Sequence, residues 1–137
     1  MLRWLTGLQP FGAFCMRLVL GTAMVIHGWG KIAPLGGLHS PDLLSGFRHF
    51  CHFVSTLGLP YWLGYVSALT EFLGGLLLIG GLFTRFAAFM IAGNMLVALL
   101  FVDIHHGYHG AEYTLALIAL ALMILFHGAG SAALERS

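Results

Sequence analysis

Charged residues are scarce in this sequence. Asp, Glu, Lys and Arg make up only 8% of its 137 residues, whereas soluble domains carry about a quarter. Hydrophobic residues make up 59%, and the mean hydropathy is +0.92. A soluble domain is therefore excluded, and a protein embedded in the lipid bilayer is predicted. The net charge of +1 offers no basic surface for nucleic acid, so no nucleic-acid partner is expected.

Paired cysteines and complete catalytic motifs are also lacking. Cys15 and Cys51 lie in different segments without a CxxC spacing, which argues against thiol–disulfide exchange and predicts free thiols. No glycine-rich phosphate loop, nucleophile motif or internal repeat is found. Arg17 interrupts the first apolar stretch and no small-x-small cleavage site follows, so we expect this segment to be retained.

What the sequence does contain is four long apolar runs. A helix needs about 17 to 25 mainly apolar residues to cross a bilayer, and residues 11–32, 61–84, 86–102 and 113–129 satisfy this. Spans two and three are joined by little more than "TR", which predicts an antiparallel hairpin. We therefore predict an all-α transmembrane four-helix bundle forming a single domain over residues 1–137.

The cationic residues outside the spans predict an orientation. Arg3, Arg85 and Arg136 fall at the end that holds both termini, and Lys31 and Arg48 fall at the other. By the positive-inside rule we expect both termini in the cytoplasm.

The connection between spans one and two has a helical pattern of its own. Ser40, Pro41 and Asp42 are suited to begin a helix. Apolar residues then recur at helical spacing to Leu57, with His49 and His52 on the other face. This predicts an amphipathic helix at the outer membrane interface, the alternative being a partly ordered loop.

Glu71 lies in the middle of the second apolar run. A charge at mid-membrane is costly, so it faces the interior of the bundle with a partner. Arg17 and Lys31 share one glycine-rich stripe of the first span, and Glu71 and Arg85 share another on the second. We expect these stripes to face each other.

Counting helical rise places Glu71 between Arg17 and His27 in depth. Two interpretations follow. The three residues form a buried ion pair that fixes the helix register, or they form a proton relay or a polar pocket for a quinone head group. The sequence leaves both open.

Histidines are concentrated on the predicted outer side. The stretch "HFCH" brings His49 and His52 to one helical face, and "DIHHGYHGAE" offers Asp103, His105, His106, His109 and Glu112. Imidazole and carboxylate groups bind zinc, copper or iron, so a metal or haem site between the interfacial helix and the last loop is one interpretation. Histidines that contact lipid headgroups, water or a partner subunit are the other.

Several stretches together resemble the DoxX family of small four-helix membrane proteins. The central match is "EFLGGLLLIGGLFTRFAA", residues 71–88, with its glutamate, paired glycines, Gly81, Thr84 and Arg85. Supporting matches are "RLVLGTAMVIHGWGK" (17–31), "GLP" (58–60), Glu112, and "HGAGSAALE" (127–135).

The resemblance implies a prokaryotic plasma-membrane subunit associated with quinone or sulfur redox chemistry. Members include small subunits of a thiosulfate:quinone oxidoreductase, and a membrane partner of superoxide dismutase and sulfurtransferase proteins. In this family Arg17, His27, Lys31, Glu71 and Arg85 occupy polar positions, which implies pocket or structural roles. Lys31 and Arg85 are the expected cofactor-binding residues, with a quinone as the expected cofactor.

The sequence thus favours an oxidoreductase-associated subunit without a complete active site of its own. The expected partners are lipid together with other membrane subunits or further copies of the chain. Two alternatives stay open: a non-catalytic assembly subunit of a respiratory or photosynthetic complex, and a transporter of a small solute.

Overall fold

The computed structural model describes residues 2–135, and every regular element in this range is helical. Four helices are long and apolar enough to cross a membrane, which confirms the predicted all-α transmembrane fold. The elements are α1 (Arg3–Thr6), α2 (Gln9–Ile32), α3 (Ser45–Thr56), α4 (Trp62–Gly80), α5 (Thr84–Phe101), a 3₁₀ turn (Asp103–His106) and α6 (Tyr108–His127). Arg136, which entered the orientation argument, lies outside the described residues.

The membrane helices α2, α4, α5 and α6 pack in a fixed pattern of neighbours. α2 packs most extensively against α4, and α5 packs against α6; α4 also contacts α5, and α2 contacts α6. Buried apolar side chains fill the space between them: Leu20, Met24, Leu78, Ala87, Ala88, Ile91, Met95, Leu117, Ala121 and Ile124. The bundle is thus held by one continuous core.

The turn between α4 and α5 forms the predicted antiparallel hairpin. Gly81 ends α4 in the left-handed conformation with φ 69°, which glycine adopts without steric cost. Phe83 is also left-handed, and α5 begins at the next residue, Thr84. The reversal is short enough to pack the two helices side by side.

The amphipathic helix α3 is present, but it begins later than the sequence suggests. Ser40 and Asp42 form a turn instead of a helix cap: the Ser40 hydroxyl accepts from the Asp42 N–H at 3.3 Å, and the Asp42 carboxylate accepts from the Leu44 N–H at 3.1 Å. Such bonds two residues along the chain compete with helix formation. Within α3, Cys51 and Val54 are buried.

The C-terminal segment folds back across the end of the bundle that holds the N-terminus of α2. The Ser131 N–H donates to the Pro10 carbonyl, and the Glu135 N–H donates to the Gly81 carbonyl, both at 3.0 Å. The Glu135 carboxylate also accepts from the Thr84 N–H at 3.0 Å, where the dipole of α5 favours a negative charge. These contacts close this end of the molecule.

Candidate functional site

Glu71 is the centre of a polar cluster inside the bundle. Its side chain is 1% exposed. Lys31 Nζ of α2 lies 2.5 Å from Glu71 Oε1, and Asn94 Nδ2 of α5 lies 2.9 Å from the same oxygen. Three helices therefore contribute one polar side chain each.

The other carboxylate oxygen, Glu71 Oε2, has no protein partner. It is buried, and among residues 2–135 no group donates a hydrogen bond to it. A buried acceptor without a donor is costly. Oε2 therefore has acceptor capacity that no described protein group uses.

Close contact between glycines sets the register that brings Lys31 to Glu71. A Cβ atom on Gly21 would lie 2.8 Å from the Gly75 carbonyl oxygen, and one on Gly28 would lie 2.5 Å from the Phe72 nitrogen. The backbones of α2 and α4 thus touch, as small residues permit in membrane helices. The predicted contact between the two glycine-rich stripes is confirmed.

The prediction that Arg17 and His27 are the partners of Glu71 is wrong, because neither residue bonds to it. Arg17 is fully buried, but it donates to backbone carbonyls of Leu78, Ser131 and Ala132, at 3.0, 2.5 and 3.2 Å. Counting residues from the ends of the apolar runs predicts the wrong relative height for α2 and α4, because the glycine contacts between the two helices set that height. Arg17 therefore ties the C-terminal segment to α4.

His27 bonds to a tyrosine instead of to Glu71. Its Nε2 lies 3.2 Å from the Tyr113 hydroxyl of α6, and the two rings stack at 5.6 Å between centroids. The pair joins α2 to α6 on the same side of the molecule as Lys31.

A cavity of about 500 Å³ connects these groups. His27, Lys31, Glu71, Asn94 and Tyr113 all line it, and its remaining walls are mainly apolar. The apolar wall residues include Phe50, Phe53, Val54, Leu59, Leu63, Val66, Phe89, Met90, Met95, Val97 and Leu117. Largely apolar walls with a few convergent polar groups are typical of small-molecule sites.

Two further contacts shape the cavity. Lys31 Nζ lies 4.6 Å from the ring centroid of Phe50, a cation–π contact that connects the polar cluster to α3. The Thr114 hydroxyl of α6 donates to the Asp103 carboxylate at 2.5 Å, and both residues line the cavity. Helix α3 and the 3₁₀ turn therefore both contribute to its walls.

Arg85, the second expected cofactor-binding residue, lies away from this cavity. Its side chain is exposed at the start of α5, and its guanidinium donates to the His127 carbonyl at 3.5 Å. Of the two, only Lys31 lines the cavity.

The structure does not bring together the histidines of the suggested metal site. His49, His52, His105, His106 and His109 are all exposed. His106 Nδ1 lies 2.9 Å from the Val102 carbonyl, and His109 Nδ1 lies 3.8 Å from Glu112 Oε2. Across residues 2–135 no three His, Cys, Asp or Glu side chains come close enough to hold a metal ion.

Sequence reasoning missed three site residues: Asn94, Tyr113 and Thr114. Asn94 is the one polar residue in the run "FAAFMIAGNMLVALLFV", residues 86–102. A lone amide within a membrane span indicates an inward-facing position, just as a charge does. The signal is weaker than that of Glu71, because an amide carries no formal charge.

Comparisons with known proteins agree with this architecture. The DoxX family model matches residues 12–104. An uncharacterised protein of Haemophilus influenzae is 30% identical over 134 residues, covering 93% of this chain and 90% of that protein. The Bacillus subtilis protein named "Putative oxidoreductase CatD" is 26% identical over 125 residues, covering 90% of this chain and 84% of its own length. No solved structure matches the chain.

The family model covers well over half of the chain, including the three residues of the Glu71 cluster. The four apolar helices and this match identify an integral membrane protein. The chain belongs to the DoxX family.

Proposed function

We propose that this protein is a membrane component of a quinone-linked electron-transfer system and that its central cavity binds the quinone head group. The observation that carries the proposal is the apolar cavity of about 500 Å³ lined by Lys31, Glu71 and Asn94. A quinone combines an apolar ring with polar oxygens, and such a cavity suits both parts.

The residues present fit this ligand. Lys31 Nζ and the Asn94 amide are donors to ring oxygens, and Phe50 and Phe53 offer apolar surface to the ring. A bound quinone supplies two-electron, two-proton chemistry. Glu71 and the His27–Tyr113 pair are groups beside the ligand that can hold or pass its protons. Arg17 has no part in this relay, because its contacts are to carbonyls at the other end of the bundle.

The relatives support a redox association. CatD carries the word oxidoreductase in its name, and the DoxX resemblance implies quinone or sulfur redox chemistry. Because the sequence contains no complete catalytic motif that we can identify, we propose that the protein works with other membrane subunits in the prokaryotic plasma membrane, with both termini in the cytoplasm.

The variant Gly93→Phe tests the proposal. Gly93 lines the cavity, and a Cβ atom there would meet nothing within 4 Å, so an aromatic side chain can be placed at the cavity wall without a clash at its Cβ atom. We expect the purified variant to fold normally and to retain at least tenfold less quinone than the wild type, measured by extraction and mass spectrometry from nanodiscs loaded with decylubiquinone.

Gly12→Phe is the matched control. Gly12 lies on α2 outside the cavity and also has open space at its Cβ position. We expect it to retain quinone like the wild type. Equal quinone retention by Gly93→Phe and Gly12→Phe, or no retention above empty nanodiscs by the wild type, would overturn the proposal.

A further inference from the structure

The two oxygens of the Glu71 carboxylate have opposite surroundings. Oε1 accepts from both Lys31 and Asn94, while Oε2 is buried and accepts from no group among residues 2–135. The donors are thus concentrated on one oxygen. The other oxygen can still accept hydrogen bonds, and it belongs to a residue that lines the cavity.

A ligand can relieve this imbalance only if it brings a donor. A quinone carbonyl is an acceptor only, so its lone pairs would face those of Oε2. A hydroquinone hydroxyl donates one hydrogen bond and still accepts from Lys31 Nζ. The reduced ring therefore satisfies Glu71 and Lys31 together, whereas the oxidised ring satisfies Lys31 alone.

We propose that the cavity selects the hydroquinone over the quinone, with Glu71 Oε2 accepting a hydrogen bond from a ring hydroxyl. This inference rests on the proposed function, since it specifies which redox form the same cavity prefers. A hydrogen bond to a charged group is strong enough to give a preference of at least about tenfold.

The preference also shifts the potential of the bound couple. A form bound tenfold more tightly is favoured at equilibrium, so the bound quinone becomes easier to reduce. For a two-electron couple a tenfold preference raises the midpoint potential by about 30 mV. Glu71 then tunes a bound carrier without forming a covalent bond to it.

The experiment measures the affinity of each redox form directly. The protein is placed in nanodiscs, and decylubiquinone and its anaerobically maintained hydroquinone are titrated separately by calorimetry. Empty nanodiscs correct for partition into lipid. We expect the hydroquinone to bind at least about tenfold more tightly than the quinone.

Glu71→Gln provides the second measurement, because an amide replaces the carboxylate with little change in shape. We expect its preference for the hydroquinone to fall to less than about twofold. Glu112→Gln makes the same chemical change on an exposed residue outside the cavity, and it should keep the wild-type ratio.

The outcomes separate the two proposals. If neither form binds above empty nanodiscs, the proposed function fails. If both forms bind with equal affinity, quinone binding stands and the preference for the hydroquinone is overturned. Equal affinity is the result expected if a water molecule already donates to Oε2. A wild-type ratio that survives Glu71→Gln also overturns the role given to Oε2.

Discussion

The Lys31–Glu71 ion pair joins a buried glutamate side chain to a lysine side chain that is 27% exposed. Breaking a buried pair costs about 3 to 5 kcal/mol, and an exposed pair contributes about 0 to 1 kcal/mol. Lys31→Met leaves the Glu71 charge with only the Asn94 amide. We therefore expect this variant to lose about 2 kcal/mol of unfolding free energy, measured by denaturation in detergent micelles.

Two variants make this prediction specific. Adding Glu71→Gln to Lys31→Met removes the uncompensated charge, so the double variant should regain most of the lost stability. Arg48→Met breaks an ion pair with Asp42 whose side chains are 54% and 46% exposed, and it should cost less than about 1 kcal/mol. A double variant as unstable as Lys31→Met would contradict the assigned pair.

The sequence identified Glu71 but not its partners, for a physical reason. The cost of a buried charge marks the residue, and helical spacing marks the face on which it lies. Neither gives the relative height of two helices. That height depends on where the two backbones touch, at Gly21 against Gly75 and at Gly28 against Phe72. Which residues touch is decided by how the surfaces of α2 and α4 fit together, and the sequence of each helix alone does not show this.

At the scale of the element, α3 is held to α4 by close contact at Gly64. A Cβ atom there would lie 2.6 Å from Cys51 Sγ and 2.7 Å from Cys51 Cα. Burial raises the pKa of the Cys51 thiol, so the reactive thiolate is rarer at neutral pH than in an exposed cysteine. Cys51 reactivity therefore reports on the docking of α3.

Maleimide labelling at pH 7 compares Cys51 with the exposed cysteine of a His52→Cys variant, and both proteins also carry Cys15→Ser. We expect Cys51 to be labelled at least tenfold more slowly. Because the thiol pKa is raised, the Cys51 rate should still be rising at pH values where the rate at an exposed thiol has levelled off. Labelling is followed by intact-protein mass spectrometry.

Gly64→Ala should increase Cys51 labelling several-fold, since the added methyl group displaces α3. Gly30→Ala is the matched control, because a Cβ atom at Gly30 meets nothing within 4 Å. Cys51 labelling that is equally slow in both variants would show that the Gly64 contact does not hold α3 in place.

The elements were more predictable than their ends. All four spans follow from apolar length, because lipid demands it of any crossing helix. The helix ends follow local backbone chemistry instead. α6 extends to Tyr108, five residues before the apolar run, since a helix needs no apolar side chains beyond the lipid. The Ser40–Asp42 turn likewise delays α3.

At the scale of the whole molecule, the two ends of the bundle differ in chemistry. One end holds Arg3, Arg85 and the folded-back C-terminal segment. The other holds Arg48 and the exposed histidines of α3, the 3₁₀ turn and the start of α6. The polar cluster of Lys31, Glu71 and Asn94 connects to this second end through the cavity.

The proposed orientation puts the histidine-rich end outside the cell, and two cysteine variants test it. His109 is 96% exposed at that end, and Leu134 is 78% exposed in the C-terminal segment. In a Cys15→Ser background, we expect a membrane-impermeant maleimide to label His109→Cys in intact cells. Leu134→Cys should react only after the membrane is permeabilised.

The reverse labelling pattern would overturn the orientation and place the histidine-rich end, which the cavity reaches through Asp103 and Gly110, on the cytoplasmic side. That result would also change the side on which protons exchange with a bound hydroquinone, because His27, Tyr113 and Asp103 line the cavity near the histidine-rich end. Labelling of both positions in intact cells would indicate leaky membranes. The native Cys51 cannot report such a leak because it is buried. A cytoplasmic marker protein with an exposed cysteine must therefore stay unlabelled in the same cells.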